Sequence, residues 1–205
     1  MRRWRNWAGS VEARPAALHR PTSVTALQDL VRSASGNQRI RMAGSGHSFT
    51  PIVPSNDIML LPHDFANGES ASAVGIDTQR MVARVPAGMV LHQLNEYLAA
   101  SGVALANMGD ITAQTVAGSI STSTHGTGLR FTGLAGQVQG FGLVTADGEH
   151  LDCNATENPE VFQLGRVGLG CLGILTYVDM TIVPAFQLRA VEQARRLSDV
   201  LDNFD

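Results

Sequence analysis

A glycine-punctuated loop with a histidine inside it carries the clearest chemical signal in this sequence of 205 residues. The loop reads Ala43-Gly44-Ser45-Gly46-His47-Ser48 and directly follows an alternating run over residues 39–42. Glycines at positions 44 and 46 permit positive φ and let backbone N–H groups approach a phosphate closely. His47 brings a nucleophilic ring nitrogen to the same place. Together these features predict a site for a phosphate-bearing cofactor.

A second tract over residues 109–128 is rich in glycine and hydroxyl side chains. Such groups can share the negative charge of a diphosphate without lysine or arginine. The alternative is a solvated Ser/Thr loop, which would be the better interpretation in an arbitrary protein. His125 within the tract is compatible with a structural hydrogen bond or with a place beside a cofactor. The candidate residues of this tract are Gly109, Asp110, Gln114, Thr115, Ala117, Gly118, Ser121, Thr122, His125 and Gly126.

A third glycine run, Gly168-Leu169-Gly170-Cys171-Leu172-Gly173, matches the G-x-G-x-x-G pattern of dinucleotide-binding proteins. That pattern binds a nicotinamide dinucleotide only where a strand precedes it and a helix N-terminus follows it. Here a predicted helix over residues 159–165 precedes the run and a predicted strand over residues 174–183 follows it. A nicotinamide-dependent dehydrogenase therefore stands as the weaker hypothesis.

Taken together, these tracts resemble the vanillyl-alcohol-oxidase superfamily, whose members share a PCMH-type FAD-binding domain. Within it they are most similar to the sugar-1,4-lactone and alditol oxidases, the gulonolactone, arabinonolactone and xylitol oxidase group. Several motifs in the right order are more specific than any one glycine pair. The motifs are Asn6-Trp7-Ala8-Gly9, Arg20-Pro21-Thr22-Ser23, Gly44-Ser45-Gly46-His47-Ser48-Phe49-Thr50, Gly109-Asp110-Ile111, Thr124-His125-Gly126-Thr127-Gly128 and Gly168-Leu169-Gly170-Cys171-Leu172-Gly173-Ile174.

The resemblance implies FAD as the cofactor, with His47 joined covalently to the flavin 8α-methyl and His125 lining the cofactor. It also implies that Gly109 lies near the flavin edge where dioxygen reacts, which favours an oxidase over a strict dehydrogenase. No residue of this chain is assigned a catalytic role. The cofactor-binding residues implied are Ala43, Gly44, Ser45, Gly46, His47, Ser48, Gly109, Asp110, Gln114, Thr115, Ala117, Gly118, Ser121, Thr122, His125, Gly126, Gly173 and Ile174.

The implied reaction oxidises a CH–OH group of a sugar-1,4-lactone or alditol by hydride transfer to flavin N5. The resemblance divides the chain into FAD-binding subdomains at residues 1–68 and 69–186, followed by the start of a truncated cap domain at 187–205. The first strand of the cap domain is expected over residues 186–189. The alternative is a flavin-binding fragment or subunit without turnover of its own, with a separate cap polypeptide as one arrangement.

Composition narrows the remaining function classes. A net charge of −3 with mixed signs provides no basic footprint of the kind that nucleic acid requires. No apolar run is long enough to span a membrane, and no apolar segment follows the basic start, so we expect a cytoplasmic protein. Cys153 and Cys171 are expected as reduced, packed thiols. His19, His63, His92 and His150 lack partners in sequence, and no Cys/His spacing indicates a metal.

The elements that must position these loops follow from periodicity and turn residues, and they predict an α+β fold. It combines a small N-terminal βαβ unit with a larger mixed sheet backed by helices. Asp147-Gly148 is typical of a two-residue hairpin turn. Helices are predicted over residues 24–36, 90–100 and 159–165, and strands over 39–42, 57–61, 73–77, 81–85, 138–145, 149–153 and 174–183.

Overall fold

The computed structural model describes residues 3–61 and 74–204. His63, the start of the strand expected at residue 73 and the subdomain boundary between residues 68 and 69 lie outside the described residues. The helices in the described part are α1 Val24–Ser33, α2 Leu91–Ala100, α3 Val116–Ser121, α4 Pro159–Gly165 and α5 Leu197–Leu201. The strands are β1 Trp4–Arg5, β2 Glu12–Ala13, β3 Ala17–His19, β4 Ile40–Met42, β5 Ile58–Leu60, β6 Gly75–Asp77, β7 Val82–Pro86, β8 Val103–Ala104, β9 Val138–Val144, β10 His150–Asn154, β11 Ile174–Thr181 and β12 Val183–Pro184.

The smaller sheet is parallel and has the strand order β3-β5-β4. Helix α1 connects β3 to β4, so the predicted βαβ unit is confirmed. Ser23 begins this helix, because its Oγ accepts the N–H of Ala26 at 3.1 Å. Leu27 and Val31, four residues apart on one helix face, are both buried. The polypeptide leaves β4 directly into the histidine loop.

The larger sheet has the order β10-β9-β11-β7-β6, and each of its described pairs is antiparallel. The prediction of a mixed sheet here was wrong, because alternation in the sequence reports burial and not strand direction. Residues 146–148 form the turn between β9 and β10, since the N–H of Thr145 donates to the carbonyl of Glu149 at 2.9 Å. The predicted two-residue turn is therefore longer by one residue.

Two further pairs of short strands flank the sheets, β1 with β2 and β8 with β12. Neither pair was predicted from the sequence. Residues 186–189, expected as a strand, form none, because no strand of the described chain lies beside them to exchange hydrogen bonds. No helix in residues 3–61 and 74–204 is long and apolar enough to cross a bilayer.

A shared apolar core joins the two sheets. Leu27 and Val31 of α1 pack with Ile58 and Leu60 of β5, and the same cluster includes Val144 and Ile174 from the larger sheet. Two hydrogen bonds reinforce the contact, because Gln28 Nε2 and Arg32 Nη2 donate to the carbonyl of Gly148 at 2.9 and 2.7 Å. The sheets therefore hold a fixed cleft between them.

Candidate cofactor-binding site

The histidine loop follows β4 and keeps its backbone donors free. Ala43, the last anchored residue, is fully buried and donates its N–H to Leu60 O at 2.8 Å. From residue 44 to residue 48, no backbone N–H donates to an acceptor within the described part of the chain. Gly46 has a φ of +74°, which favours glycine. A run of unused amides about a left-handed residue is typical of an anion-binding loop.

Ser45 adds a second unsatisfied donor to this loop. Its Oγ is buried, yet it has no hydrogen-bond partner among the described residues. Leaving a buried hydroxyl unpaired costs free energy, about 1–3 kcal/mol, so such a group marks a place where a ligand atom fits.

His47 is half-buried, and one face of its ring lies against Trp7. The two ring centroids are 5.1 Å apart, with 16° between the ring planes. Neither imidazole nitrogen has a hydrogen-bond partner within residues 3–61 and 74–204. The ring is therefore held by its face while its nucleophilic edge stays free.

The second tract begins helix α3, and here the backbone donors are used. Thr115 Oγ1 accepts the N–H of Gly118 at 3.1 Å. The N–H groups of Val116 and Ala117 donate to Met89 O and Ala87 O, both at 2.8 Å. The amide hydrogens of residues 116–118 are therefore already engaged within the protein and are not donors for a ligand.

The two tracts meet at Gly44. A β-carbon at this position would lie 2.5 Å from Oγ1 of Thr115, so only glycine permits the approach. The histidine loop and the start of α3 thus form one continuous surface.

The remainder of the second tract folds back on itself. A β-carbon on Gly126 would lie 2.2 Å from Met108 O, and one on Gly109 would lie 3.1 Å from His125 O. Gln114 Nε2 donates to Thr124 Oγ1 at 3.2 Å, whereas Gln114 Oε1 is buried and has no partner in the part of the chain that the structure describes. The sequence motifs at 109–110 and 124–126 are therefore adjacent in space.

His125 differs from His47 in how its ring is held. Its exposed side chain places Nδ1 2.9 Å from the carbonyl of Gly126. Asp110 is exposed as well.

The third glycine run forms the opposite wall of a cleft. It lies between α4 and β11, the context that argued against a nicotinamide site. Leu169 and Gly170 have φ values of +51° and +68°, so the chain turns back toward the smaller sheet. Gly173 packs under β9, where a β-carbon would lie 2.3 Å from Val144 O.

Arg41 of β4 connects the two walls, and the sequence analysis missed it. Its guanidinium donates to Leu169 O at 2.9 Å, to Gly170 O at 3.0 Å and to Ile52 O at 2.6 Å. No carboxylate in the described residues lies within 4 Å of it. In sequence Arg41 is one of two arginines in a short alternating strand, and nothing there distinguishes it from a solvent-facing residue.

The cleft between the sheets has a volume of about 470 Å³. Its described lining is largely apolar, and Arg41 is the charged side chain in it. Of the predicted site residues, those that line it are Gly44, Thr115, Ala117, Gly118, Ser121, Thr122, Gly173 and Ile174. Those that lie outside the lining are Ala43, Ser45, Gly46, His47, Ser48, Gly109, Asp110, Gln114, His125 and Gly126. Most of this second group belongs to the histidine loop and the folded 109–126 segment beside it.

Displaced pKa values occur away from the cleft. Burial and a hydrogen bond to Asp152 raise the pKa of Tyr177, and Arg84 stacks on the same ring at 3.9 Å. Burial raises the pKa of Cys153, while Cys171 lines the cleft and is exposed, contrary to the expectation of a packed thiol. Both cysteines are free.

Comparison with known proteins agrees with this geometry. The family described as FAD binding domain matches residues 15–154. L-gulonolactone oxidase of Bos taurus is 35% identical over 204 residues, which cover 99% of this chain and 45% of that protein. L-gulono-1,4-lactone dehydrogenase of Mycobacterium tuberculosis is 34% identical, with coverage of 98% and 46%. A putative D-arabinono-1,4-lactone oxidase of Neurospora crassa is 33% identical, with coverage of 94% and 34%. The chain spans less than half the length of these curated relatives.

Proposed function

This chain belongs to the FAD-binding domain family, and on that premise we propose that it is the flavin-binding part of a lactone- or alditol-oxidising enzyme. The enzyme would remove a hydride from a CH–OH group of a sugar-1,4-lactone or alditol. The relatives in cattle, Mycobacterium tuberculosis and Neurospora crassa carry names of lactone oxidases and dehydrogenases, which supports the substrate class. Because the chain spans less than half their length, turnover is a proposal about the whole protein.

The observation that carries the proposal is the contact between the histidine loop and α3 at Gly44. It lies beside a cleft whose cation, Arg41, has no carboxylate partner among the described residues. The free amides of residues 44–48 suit a diphosphate, and the apolar cleft suits the flat rings of a dinucleotide. Arg41 adds a positive charge that no carboxylate of the described chain neutralises. An anionic, extended and largely aromatic ligand fits this combination.

Two buried atoms that have no hydrogen-bond partner among the described residues test the fit independently of the family match. Ser45 Oγ and Gln114 Oε1 both belong to the predicted cofactor-binding set. In our proposal Ser45 and the amides around it hold the diphosphate, and Gln114 accepts a hydrogen bond from the bound cofactor. When bound, FAD supplies the hydride acceptor, and the protein supplies orientation and electrostatics.

We further propose that His47 carries FAD covalently. The bond would join a ring nitrogen to the flavin 8α-carbon. His47 would lose its ring proton and the flavin methyl group would lose one hydrogen as a proton, while dioxygen would take the two electrons and both protons and become hydrogen peroxide. The support is the free nitrogen edge of His47 within the loop that suits the diphosphate.

Denaturation tests the attachment directly. We expect FAD-loaded wild-type protein to keep flavin fluorescence on a denaturing gel, whereas His47→Ala releases all of its flavin and still binds FAD reversibly. His92→Ala is the matched control, because His92 is exposed on α2. If acid precipitation frees all flavin from the wild-type protein, the attachment is wrong.

Turnover separates the enzyme from a binding module. Anaerobic reduction of the bound flavin is followed by absorbance while sugar lactones and alditols are added in turn. Bleaching by one class assigns the substrate, whereas bound flavin that no member of either class reduces supports the alternative of a flavin-binding part without turnover. A protein that takes up no FAD contradicts both.

We also propose that Gly109 favours dioxygen as the electron acceptor. A β-carbon there would lie 3.1 Å from His125 O and 3.2 Å from Thr124 Cγ2, so close packing is a second reason for glycine. If the small residue admits dioxygen, Gly109→Ala should slow reoxidation of the reduced flavin by air. Unchanged reoxidation would leave packing as the explanation.

A further inference from the structure

The N-terminal hairpin, defined here as residues 4–13, grips the histidine loop on both sides of His47. The N–H of Trp7 donates to Gly46 O at 3.1 Å, and Asn6 Nδ2 donates to Ser48 O at 3.0 Å. These two bonds fix the carbonyls immediately before and after the histidine. The hairpin lies N-terminal to the segment that matches the FAD-binding family.

The buried side chain of Asn6 connects the hairpin to the histidine loop. It is 3% exposed, and its Oδ1 accepts the N–H of Val11 at 3.0 Å while its Nδ2 also donates to Ser10 Oγ at 3.1 Å. One side chain therefore closes the turn of the hairpin and reaches the histidine loop. A buried amide with its donor and acceptor both satisfied holds a single orientation.

The two tryptophans of the hairpin have different roles. Trp4 is half-buried and packs with Ala13, Ala43 and Met59, so it anchors the hairpin to the smaller sheet. Trp7 is 58% exposed, and its ring contacts are with His47 and with the exposed Phe49. Burial of apolar surface explains Trp4, but it does not explain a largely exposed indole on an imidazole face.

The way His47 is held suits a nucleophile. His125 and His150 each have a ring nitrogen within 2.9 Å of an oxygen, which occupies the position that a new bond would need. His47 is instead restrained through its face and its backbone, so both nitrogens stay available. Restraint before reaction lowers the entropic part of a barrier.

We propose that the N-terminal hairpin is a positioning clamp for His47, in which Trp7 sets the plane of the imidazole and Asn6 fixes the backbone beyond it. The proposal rests on His47 being the flavin attachment residue. Trp7 and Asn6 act through His47 and touch no reacting atom themselves.

The reactivity of His47 in FAD-free protein tests the clamp without any flavin chemistry. Diethyl pyrocarbonate acylates neutral imidazole, and peptide mass spectrometry gives the rate at each histidine. Trp7→Ala should raise the rate at His47 about two- to tenfold, because the indole no longer covers one face of the half-buried ring and this small reagent, unlike FAD, needs no preset orientation of the imidazole. Trp7→Phe should stay close to the wild-type rate. Tyr97→Ala, which removes a similarly exposed ring on α2, is the matched control, and His92 is the internal reference.

A second arm measures attachment in FAD-loaded protein. Trp7→Ala should slow covalent incorporation about tenfold, because the ring loses its preset orientation, while reversible FAD affinity changes little. Asn6→Asp keeps the acceptor for Val11 N–H but turns an oxygen toward Ser48 O, and it should slow incorporation as well. Trp7→Phe should restore most of the rate.

The two arms separate failure of the clamp from failure of the attachment. An unchanged His47 rate in Trp7→Ala, or an equal change in Tyr97→Ala, overturns the clamp. A wild-type protein that binds FAD without a bond overturns the attachment, and the acylation rates then decide the clamp by themselves.

Discussion

The histidine loop at residues 44–48 and the start of α3 at residues 115–118 are similar in composition and opposite in structure. Both contain glycines and hydroxyl side chains, and they touch at Gly44. In α3 the first backbone donors bind Ala87 O, Met89 O and Thr115 Oγ1. In the histidine loop the donors have no acceptor within the described chain, and Ser45 Oγ is also unpaired.

This contrast separates two uses of the same residue types. A tract whose donors are satisfied internally stabilises the fold, whereas a tract whose donors are left free binds an external acceptor. Substitutions in α3 should therefore change the free energy of unfolding, and substitutions in the loop should change FAD affinity.

The largest effect is expected where the two regions meet. Gly44→Val would place a side chain 2.5 Å from the buried Thr115 Oγ1, and both the cap and the loop would have to move. We expect a loss of about 1–3 kcal/mol in the free energy of unfolding by urea, together with loss of FAD binding. Gly75→Val is the control, since among the described residues a β-carbon there meets only Arg84 Cβ at 3.7 Å. If Gly44→Val binds FAD with wild-type affinity, the contact at Gly44 is not needed for cofactor binding.

Thr115→Val should affect stability more than binding. It keeps the shape of the side chain but removes the oxygen that caps α3, which leaves the N–H of Gly118 without its acceptor. The free energy of unfolding should fall by about 1 kcal/mol. Titration with FAD should show a change of less than about threefold in Kd, since Oγ1 is already engaged within the protein. A large loss of affinity at wild-type stability would contradict the assignment.

Ser45→Ala should show the reverse pattern. The substitution removes a buried hydroxyl that has no partner in residues 3–61 and 74–204, so the FAD-free protein should be as stable as the wild type or slightly more stable. The Kd for FAD should rise about fivefold, because one hydrogen bond to the ligand is lost. Ser33→Ala, at the exposed end of α1, provides the control for serine removal. Reduced stability without weaker binding would show that Ser45 stabilises the fold and does not bind FAD.

The smallest effect is expected in the N-terminal hairpin, which contacts the histidine loop. The stability of this hairpin should depend on pH. A hydrogen bond from Arg3 lowers the pKa of Glu12, whose ordinary value is 4.5. The stabilisation of the hairpin by this carboxylate is therefore complete above pH 4.5 and is lost as the pH falls through the lower folded pKa. Both tryptophans of the chain lie in this hairpin, so tryptophan fluorescence should change in acid before global unfolding. Glu12→Gln should flatten that early change, and a change of equal size in this variant would rule out Glu12 as its source.

Sequence patterns predicted the regular elements well where periodicity is strong. Leu27 and Val31 mark the buried face of α1, which begins at residue 24 as predicted. The N-terminal hairpin was missed because its strands are two residues long and its stability comes from Asn6 and Trp4, which contact residues distant in sequence. Periodicity cannot report such contacts.

The sequence predicted which segments form the candidate site, but it did not predict how they are arranged in space. The glycines at 44, 109, 126 and 173 do lie where a side chain would collide with a neighbouring segment. Which amides are free depends on acceptors such as Ala87 O, and no local pattern encodes that pairing. The function of Arg41 is likewise decided by carbonyls on loops far along the chain.

Arg41 also determines how the cleft responds to ionic strength. Its guanidinium, on β4 of the smaller sheet, donates to the carbonyl oxygens of Ile52, Leu169 and Gly170 in two loops, which are neutral acceptors at short range. Salt screens charges that are separated and exposed, and it has little effect on hydrogen bonds of this length. The width of the cleft should therefore stay constant as salt rises. An anionic ligand should bind more weakly, because salt screens its attraction to the charge of Arg41.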